Sequence, residues 1–397
     1  MKVAIIGAGA AGCFCAVNIK RNNPDAVVEV FESGTKALAK VAITGGGRCN
    51  LTNSFAGIKN LKEAYPRGEK LMKRMFCVFD HQATIDWFER EGVRLVTQDD
   101  NCVFPASQDA MQIVHTLLFL MSKYNVKLHL KQKVSDIEEL MRDFDKVVVT
   151  TGGSPKLSGL NFLSKLDLEI AAPVPSLFTF NIIDPITNLM GAVVENVSTK
   201  IAGTKFKANG PLLITHWGMS GPAILKLSSY GARFLAENDY KATLLVNWLG
   251  DSFNEESAMR MVLEIIERNP NKQISSVHPE SLTSRIWQYI INKCGIPADR
   301  KLCELSKKHI NVLCATLTND TYKIEGQSRF KEEFVTCGGV ALSNIDLNTL
   351  EAKKYPGLFF AGEVLDVDAI TGGFNLQAAW SMGYVIANVI TKCNDKY

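Results

Sequence analysis

The chain opens with MKVAIIGAGAAG, Met1 to Gly12, and the reading of this stretch decides the fold. Lys2 to Ile6 is a short β-branched apolar run, the composition of a buried strand. Gly7-Ala8-Gly9-Ala10-Ala11-Gly12 follows, and from Cys13 to Lys20 apolar residues recur at helical spacing. Strand, tight glycine turn and helix in that order make a dinucleotide-binding unit. Gly7 permits the turn, Gly9 lets the backbone approach a pyrophosphate, and Gly12 lets the helix pack closely on the strand. Free N–H groups at the helix start attract the phosphate charge. The next strand, Val27 to Phe31, ends in Glu32, where a carboxylate can accept hydrogen bonds from a ribose diol.

Further glycine signals lie beyond it. Ile43 to Asn53, ITGGGRCNLTN, removes every Cβ from one turn of chain, which suits a ligand cradle or a flexible loop. Asp143 to Thr150 supplies a strand, KVVVT, followed by Thr151-Gly152-Gly153. Leu358 to Glu363 reads as a buried strand ending in the pair Gly362-Glu363, whose carboxylate suits ribityl hydroxyls. Thr371-Gly372-Gly373-Phe374-Asn375-Leu376-Gln377 leads into a helix reaching about Thr391, with Ala379, Gly383 and Ala387 on one small-residue face. The N–H groups at that helix start suit the electron-rich N1 and C2 carbonyl of a reduced flavin. Glycine-acid signals at both chain ends favour FAD, lying extended across one crevice. With no second strand-GxGxxG-helix unit, NAD(P)H as reductant visits the flavin face transiently.

With 397 residues, 46% hydrophobic and 21% charged, the chain is long enough for about two or three domains and has the composition of a globular protein. A net charge of +3 is too small to argue for nucleic acid. The start lacks the long apolar core of a signal peptide, and no apolar span is of membrane length. Ten cysteines, at 13, 15, 49, 77, 102, 294, 303, 314, 337 and 393, form no C-x-x-C pair, and the six histidines form no metal-ligand spacing. The expectation is a cytoplasmic protein with no metal and no membrane partner.

MKVAIIGAGAAG, ITGGGRCNLTN, FTFN (178–181), THWGMSGPAIL (215–225) and the long stretch from Thr336 to Trp380, which contains GEVLDVDAITGGFNLQ, together resemble the BaiN/YhiN-type, aminoacetone-oxidase-like FAD flavoproteins. The resemblance covers essentially the whole chain. It implies an α/β fold: a glutathione-reductase-like FAD-binding Rossmann domain built from both chain ends, residues 1–189 and 336–397. The implied insert is β-barrel-like at 190–250 and 309–335 and helical at 251–308.

The family's cofactor contacts fall on Gly7, Gly9, Ala10, Ala11 and Gly12 for the pyrophosphate, and on Glu32 and Ser33 for the adenosine ribose. Lys40, Gly46, Gly47, Arg48, Cys49 and Asn50 fall along the ribityl and flavin side. Val134, in the strand-like KQKVSDI, matches the position whose backbone meets adenine. Thr151, Gly152 and Gly153 flank the dinucleotide, Gly362 and Glu363 the ribityl chain, and Gly373, Phe374, Asn375 and Leu376 the flavin pyrimidine. Ala37-Leu38-Ala39 stands before Lys40 where relatives carry a Gly-Arg pair.

In the middle, Leu177–Ile183, Ala192–Ile201, Lys205–Ala208, Pro211–Thr215 and Lys241–Trp248 read as strands. Asn254–Arg268, Pro279–Cys294 and Lys301–Thr316 read as helices, with Tyr322–Glu325 and Phe334–Thr336 leading back. His216 is the candidate catalytic acid, set against a plain turn-shaping role with Ser220. Cys49 and Cys337 read as packing residues near the flavin, and Asp366 and Asp368 as cavity-lining or capping carboxylates. Three functions stand open. The first is a FAD-dependent, NAD(P)H-linked oxidoreductase acting on a small molecule, by enone-type C=C reduction or amine or alcohol carbon oxidation. The second is flavin-dependent RNA base modification, since some members of the resembled family are linked to ribosomal RNA dihydrouridine formation. The basic stretch Thr199 to Gly210, TKIAGTKFKANG, suits RNA contact or a solvated face. The third is a non-enzymatic flavin-binding module.

Overall fold

The computed structural model describes residues 1–154, 156–327 and 335–392. The chain forms two compact units: Met1–Val174 with Val335–Tyr397, and Pro175–Phe334.

In the first unit, five parallel strands lie in the order Leu358–Phe360, Lys146–Val149, Lys2–Ile6, Val27–Phe31, Lys127–His129. A strand from near the C-terminus thus completes the sheet begun at the N-terminus, as the glycine signals imply. Ile6 stands opposite both Phe31 and Val149, and Val149 opposite Phe360, so Gly7, Glu32, Thr150 and Ala361 all leave the same edge. A parallel sheet needs cover on its faces, and Val3 to Ile6 are accordingly all buried. Helix Ala10–Asn22 packs against helix Phe374–Lys392 so closely that a Cβ on Gly383 would stand 2.8 Å from the Ala11 carbonyl oxygen. Phe14 anchors an aromatic cluster, with ring centroids 4.5 Å from Trp87 and 5.3 Å from Trp380. Truncating such a buried aromatic to alanine typically costs about 3–5 kcal/mol.

Two local readings of this unit change. KQKVSDI is not a strand: the strand is Lys127–His129, Lys131 turns the chain at φ 57, and Asp136 caps the helix Ile137–Asp143 by accepting from the Glu138 N–H. Val134 therefore sits in the connecting loop. The triple glycine is not a free loop either. It ends the helix Ala39–Gly47, which breaks at Thr44, where ψ is 149.

The second unit is a closed antiparallel barrel in the order Val193–Ile201, Lys207–Thr215, Gly218–Ser220, Phe180–Asn181, Asp320–Gln327, Lys241–Asn247. Its core, including Phe180, Leu212, Ile214, Leu244 and Val246, continues into the helices Glu255–Arg268, Ser284–Lys293 and Lys307–Asn319. Lys205–Ala208 and Pro211–Thr215 prove to be one strand running through Asn209-Gly210, with Gly210 at φ 143 and a bulge in its partner between Val194 and Val197. Between Thr215 and the helix Pro222–Tyr230 lies an extra strand, Gly218–Ser220. The helix read from Pro279 starts at Ser284 because Thr283 caps it, and the one read from Lys301 starts at Lys307, where Ser306 and His309 form a capping box. Of the strand read at Phe334–Thr336, Phe334 lies outside the described residues, as does Cys393; the observed strand is Val335–Val340. Among the described residues, no helix is long and apolar enough to cross a membrane, and no cluster of three or more His, Cys, Asp or Glu is arranged to hold a metal.

Candidate cofactor site

The sheet edge carries the first part of the site. A cavity of about 240 Å³ is lined by Gly7, Glu32, Ser33, Val134, Thr151, Gly152 and Gly153, and also by Gln132, Lys133, Ser154, Gly159, Leu160 and Phe162. Seven residues read from separate stretches of sequence thus meet at one place. Close packing holds the turn: a Cβ on Gly7 would stand 2.5 Å from the Thr150 carbonyl oxygen, and one on Gly12 only 2.1 Å from the Gly7 carbonyl oxygen. Thr150 Oγ1 lies 3.0 and 2.8 Å from the Ile6 and Gly7 carbonyl oxygens. Around Gly9, by contrast, a Cβ would meet nothing within 4 Å. The Glu32 carboxylate accepts from the Ala8 N–H at 3.0 Å and the Gly34 N–H at 2.6 Å, which fixes it at the cavity wall. No acidic residue occupies the first turn of the helix Ala10–Asn22, leaving its N-terminus open to phosphate.

The second part is the run Gly45-Gly46-Gly47, with φ of 58, 68 and 83. Gly45, absent from the sequence-based assignment, is needed by the protein itself, since its Cβ would stand 2.8 Å from the Asn50 N. Gly46 and Gly47 face open space. Arg48 donates from Nε to the Gly45 carbonyl at 3.2 Å and lies 4.4 Å from the Phe104 ring centroid, so its cation borders the glycine run. Burial pushes the Cys49 thiol up to about 12, which keeps it a neutral packing group. Lys40 Nζ stands 3.7 Å from Glu363 Oε2, while Glu363 Oε1 accepts from the Thr336 N–H at 2.7 Å. A Cβ on Gly153 would lie 2.5 Å from the same oxygen, so Glu363 and the third glycine turn are neighbours.

The third part is the start of the helix Phe374–Lys392. Gly373, at φ +87, presses so closely on Thr52 that a Cβ would stand 2.3 Å from its carbonyl oxygen. Turned so that both its ends are satisfied, the Asn50 amide accepts from the Gly373 N–H at 3.3 Å and donates to the Thr52 carbonyl at 3.0 Å, joining the two glycine loops. Asn53 donates to the Gly372 carbonyl at 3.1 Å and Tyr65 to the Phe374 carbonyl at 2.9 Å. The Asn375 amide is used on both sides by the backbone of Ala369, and the Phe374 ring is buried against Phe55 and Tyr65. Phe374, Asn375 and Leu376 therefore offer a ligand their main-chain N–H groups, the ones a helix start leaves without an intrahelical acceptor.

Open glycine backbone at Gly9, Gly46 and Gly47, the oriented Glu32 carboxylate and two helix N-termini are features that fit an extended dinucleotide such as FAD.

Thr52, Asn53 and Tyr65 were not among the site residues read from the sequence, although Thr52 and Asn53 close the ITGGGRCNLTN stretch. Asp368, buried at 1% exposure, receives the guanidinium of Arg67 in a two-pronged ion pair and so is not a free cavity wall. His216 lies in the barrel unit, exposed in the turn before Gly218, its ring 3.8 Å from that of Trp217. It lines a cavity of about 590 Å³ together with Asn181, Asp184, Glu325 and Trp217, so carboxylates invisible in local sequence share its surroundings.

The family described as HI0933-like protein Rossmann domain matches residues 1–389. A ribosomal RNA dihydrouridine synthase of Escherichia coli K12 is 30% identical, over 96% of each chain. One of Haemophilus influenzae is 29% identical, over 98% of each. A 3-dehydro-bile acid delta(4,6)-reductase of Clostridium scindens is 24% identical, over 97% of each. These matches bear out the resemblance carried by the motifs, and the chain belongs to the HI0933-like Rossmann-domain family of FAD-dependent oxidoreductases.

Proposed function

We propose that this protein reduces a carbon–carbon double bond conjugated to a carbonyl, with noncovalent FAD as its cofactor and NAD(P)H as transient reductant. The observation that carries the reading is the joining of the GGGRCN and TGGFNLQ loops through Asn50 and Gly373, which aims a helix N-terminus from the wall of the FAD cradle. When bound, FAD supplies two-electron redox chemistry. The chain's own part is to hold it, to offer N–H groups where negative charge develops, and to keep Cys49 as an unreactive neutral thiol. The relatives' names support the class: a delta(4,6)-reductase and a dihydrouridine synthase both saturate a C=C conjugated to a carbonyl. In net terms the substrate gains two electrons and two protons, NAD(P)H becomes NAD(P)⁺, and one proton comes from an acid or from water. We assign that acid as His216, on the cavity it shares with Asp184 and Glu325. A cytoplasmic location fits the nine free cysteines among the described residues.

A small enone is the first substrate reading. A uracil of ribosomal RNA is the second, favoured by the higher identity of the two relatives so named. The test is anaerobic. Purified protein is heated and the released chromophore chromatographed; the holoprotein is then reduced with NADH or NADPH and mixed with a steroid enone or with unmodified ribosomal RNA. Release of FAD and reoxidation by one of the two acceptors is expected. Recovery of FMN alone, or no reoxidation by either acceptor, would overturn the proposal.

A further inference from the structure

We infer that Thr52, acting through Gln377, is a positioning residue for the helix start at the flavin end of the cradle, and so tunes the potential of the bound cofactor; the inference rests on the FAD reading above. Thr52, Gln377 and Ser381 are each 0% exposed, yet all three are polar. They form one relay. The Thr52 hydroxyl donates to Gln377 Oε1 at 2.5 Å, Gln377 Nε2 donates to Ser381 Oγ at 2.9 Å, and the Ser381 hydroxyl donates to the Phe79 carbonyl at 2.7 Å.

The direction of the relay is fixed chemically. A carbonyl can only accept, so Ser381 must donate to Phe79, which leaves Ser381 to receive from the Gln377 NH₂. Gln377 Oε1 must then accept, and Thr52 must donate. No flipped amide satisfies all members, and in a dry core an unsatisfied member is costly.

The relay touches the site at a sensitive place. The Gln377 N–H bonds the Gly373 carbonyl at 3.0 Å, closing the first turn of the helix whose free N–H groups belong to Phe374, Asn375 and Leu376. Thr52 itself is held by strand pairing to Val103. Its carbonyl is the surface on which Gly373 rests and the acceptor for Asn50. The backbone of Thr52 therefore presses on the turn from one side while its hydroxyl grips the first helical turn from another. Side chains farther along the helix set its axis; this grip sets the angle at which its first N–H groups leave it. Those N–H groups stabilise negative charge at the flavin pyrimidine in proportion to their aim, because fixed dipoles act through orientation.

The test compares full-length wild type with Thr52→Val, Thr52→Ser and the double variant Thr52→Val/Gln377→Leu. Three quantities are measured: thermal stability without cofactor, FAD affinity by fluorescence quenching, and the two-electron potential of the bound flavin. Thr52→Val keeps the side-chain shape and deletes the donor. It should weaken FAD binding by about tenfold, the scale of one buried hydrogen bond left unmade, and shift the potential to more negative values. Thr52→Ser should restore both. The double variant removes both polar partners and should recover stability while keeping the negative shift, a separation that a purely structural relay does not produce. A wild-type potential in Thr52→Val, or in the double variant, would overturn the inference even if wild type binds FAD tightly. Failure of wild type itself to bind FAD would instead overturn the cofactor reading, and this inference with it.

Discussion

Replacing Gly47 by alanine separates a ligand cradle from an ordinary turn. Without cofactor, the new Cβ meets nothing within 4 Å, so the protein loses only the backbone preference at φ +83. That preference costs about 1–2 kcal/mol, and the stiffer unfolded chain returns about 0.4–1 kcal/mol of it. Apo stability should therefore fall by about 1 kcal/mol. If FAD lies against this backbone, the methyl intrudes on a filled contact, and overpacking of that kind costs about 1–3 kcal/mol, or about tenfold to a hundredfold in Kd. Gly45→Ala is the control, because its Cβ would stand 2.8 Å from the Asn50 N and 3.1 Å from the Phe104 ring. That variant should lose more in folding than Gly47→Ala does. Urea unfolding of the apoprotein and fluorescence titration with FAD give the two numbers for each variant. Wild-type FAD affinity in Gly47→Ala would show that the open glycines shape a turn and nothing more.

If Glu32 serves the adenosine half that FMN lacks, Glu32→Gln should weaken FAD by about tenfold while leaving FMN binding unchanged; equal losses for both ligands, read by titration, would refute that placement. The Cys49 thiol rises from 9.0 to about 12 in the folded chain, so folding keeps a proton that the unfolded chain releases. Its contribution is full below pH 9 and is lost as pH rises from 9 toward 12, and alkylation at pH 8 followed by peptide mapping should label the exposed Cys77 and Cys303 but not Cys49. His216→Ala should leave FAD content and unfolding midpoint intact while slowing substrate-driven flavin reoxidation about a hundredfold and altering its pH profile; a wild-type profile would remove it from the catalytic assignment.

What the sequence made legible follows from the range over which each signal acts. Strand, glycine turn, helix and terminal acid succeed one another within Met1 to Glu32, so local pattern was enough to read the Rossmann unit. Asn209-Gly210-Pro211 reads as a break, yet barrel pairing on both sides carries the strand straight through it. Tertiary hydrogen bonding overrode turn propensity there. The residues that join the Thr52 and Asp368 segments to distant parts of the chain were harder to find for a different reason. Thr52 and Gln377 are 325 positions apart and Arg67 and Asp368 are 301 apart, and neither member of either pair needs an unusual neighbour in sequence.

The glycines show how far geometry can replace such missing signals. Gly7, Gly12, Gly45 and Gly373 are explained by folding alone, because protein atoms stand within 3 Å of any Cβ placed on them. Gly46, Gly47 and Gly152 have positive φ and open space, so nothing in the apoprotein but the backbone itself requires glycine there. That signature is not sufficient on its own. Gly92, Gly191, Gly203 and Gly295 share it: Gly92 and Gly295 follow the helices His81–Arg90 and Ser284–Lys293, where glycine in this conformation commonly ends a helix, and Gly191 and Gly203 lie in the turns on either side of the strand Val193–Ile201. Gly152 differs in lining the cavity that holds Gly7 and Glu32, and Gly46 and Gly47 in leading directly into Arg48 and into Asn50, the residue joined to Gly373. Turn geometry accounts for Gly92, Gly191, Gly203 and Gly295 one at a time. For Gly46, Gly47 and Gly152, the proposed FAD supplies one common account: a single extended ligand touching all three, with its pyrophosphate toward Gly9 and its ring toward Gly373.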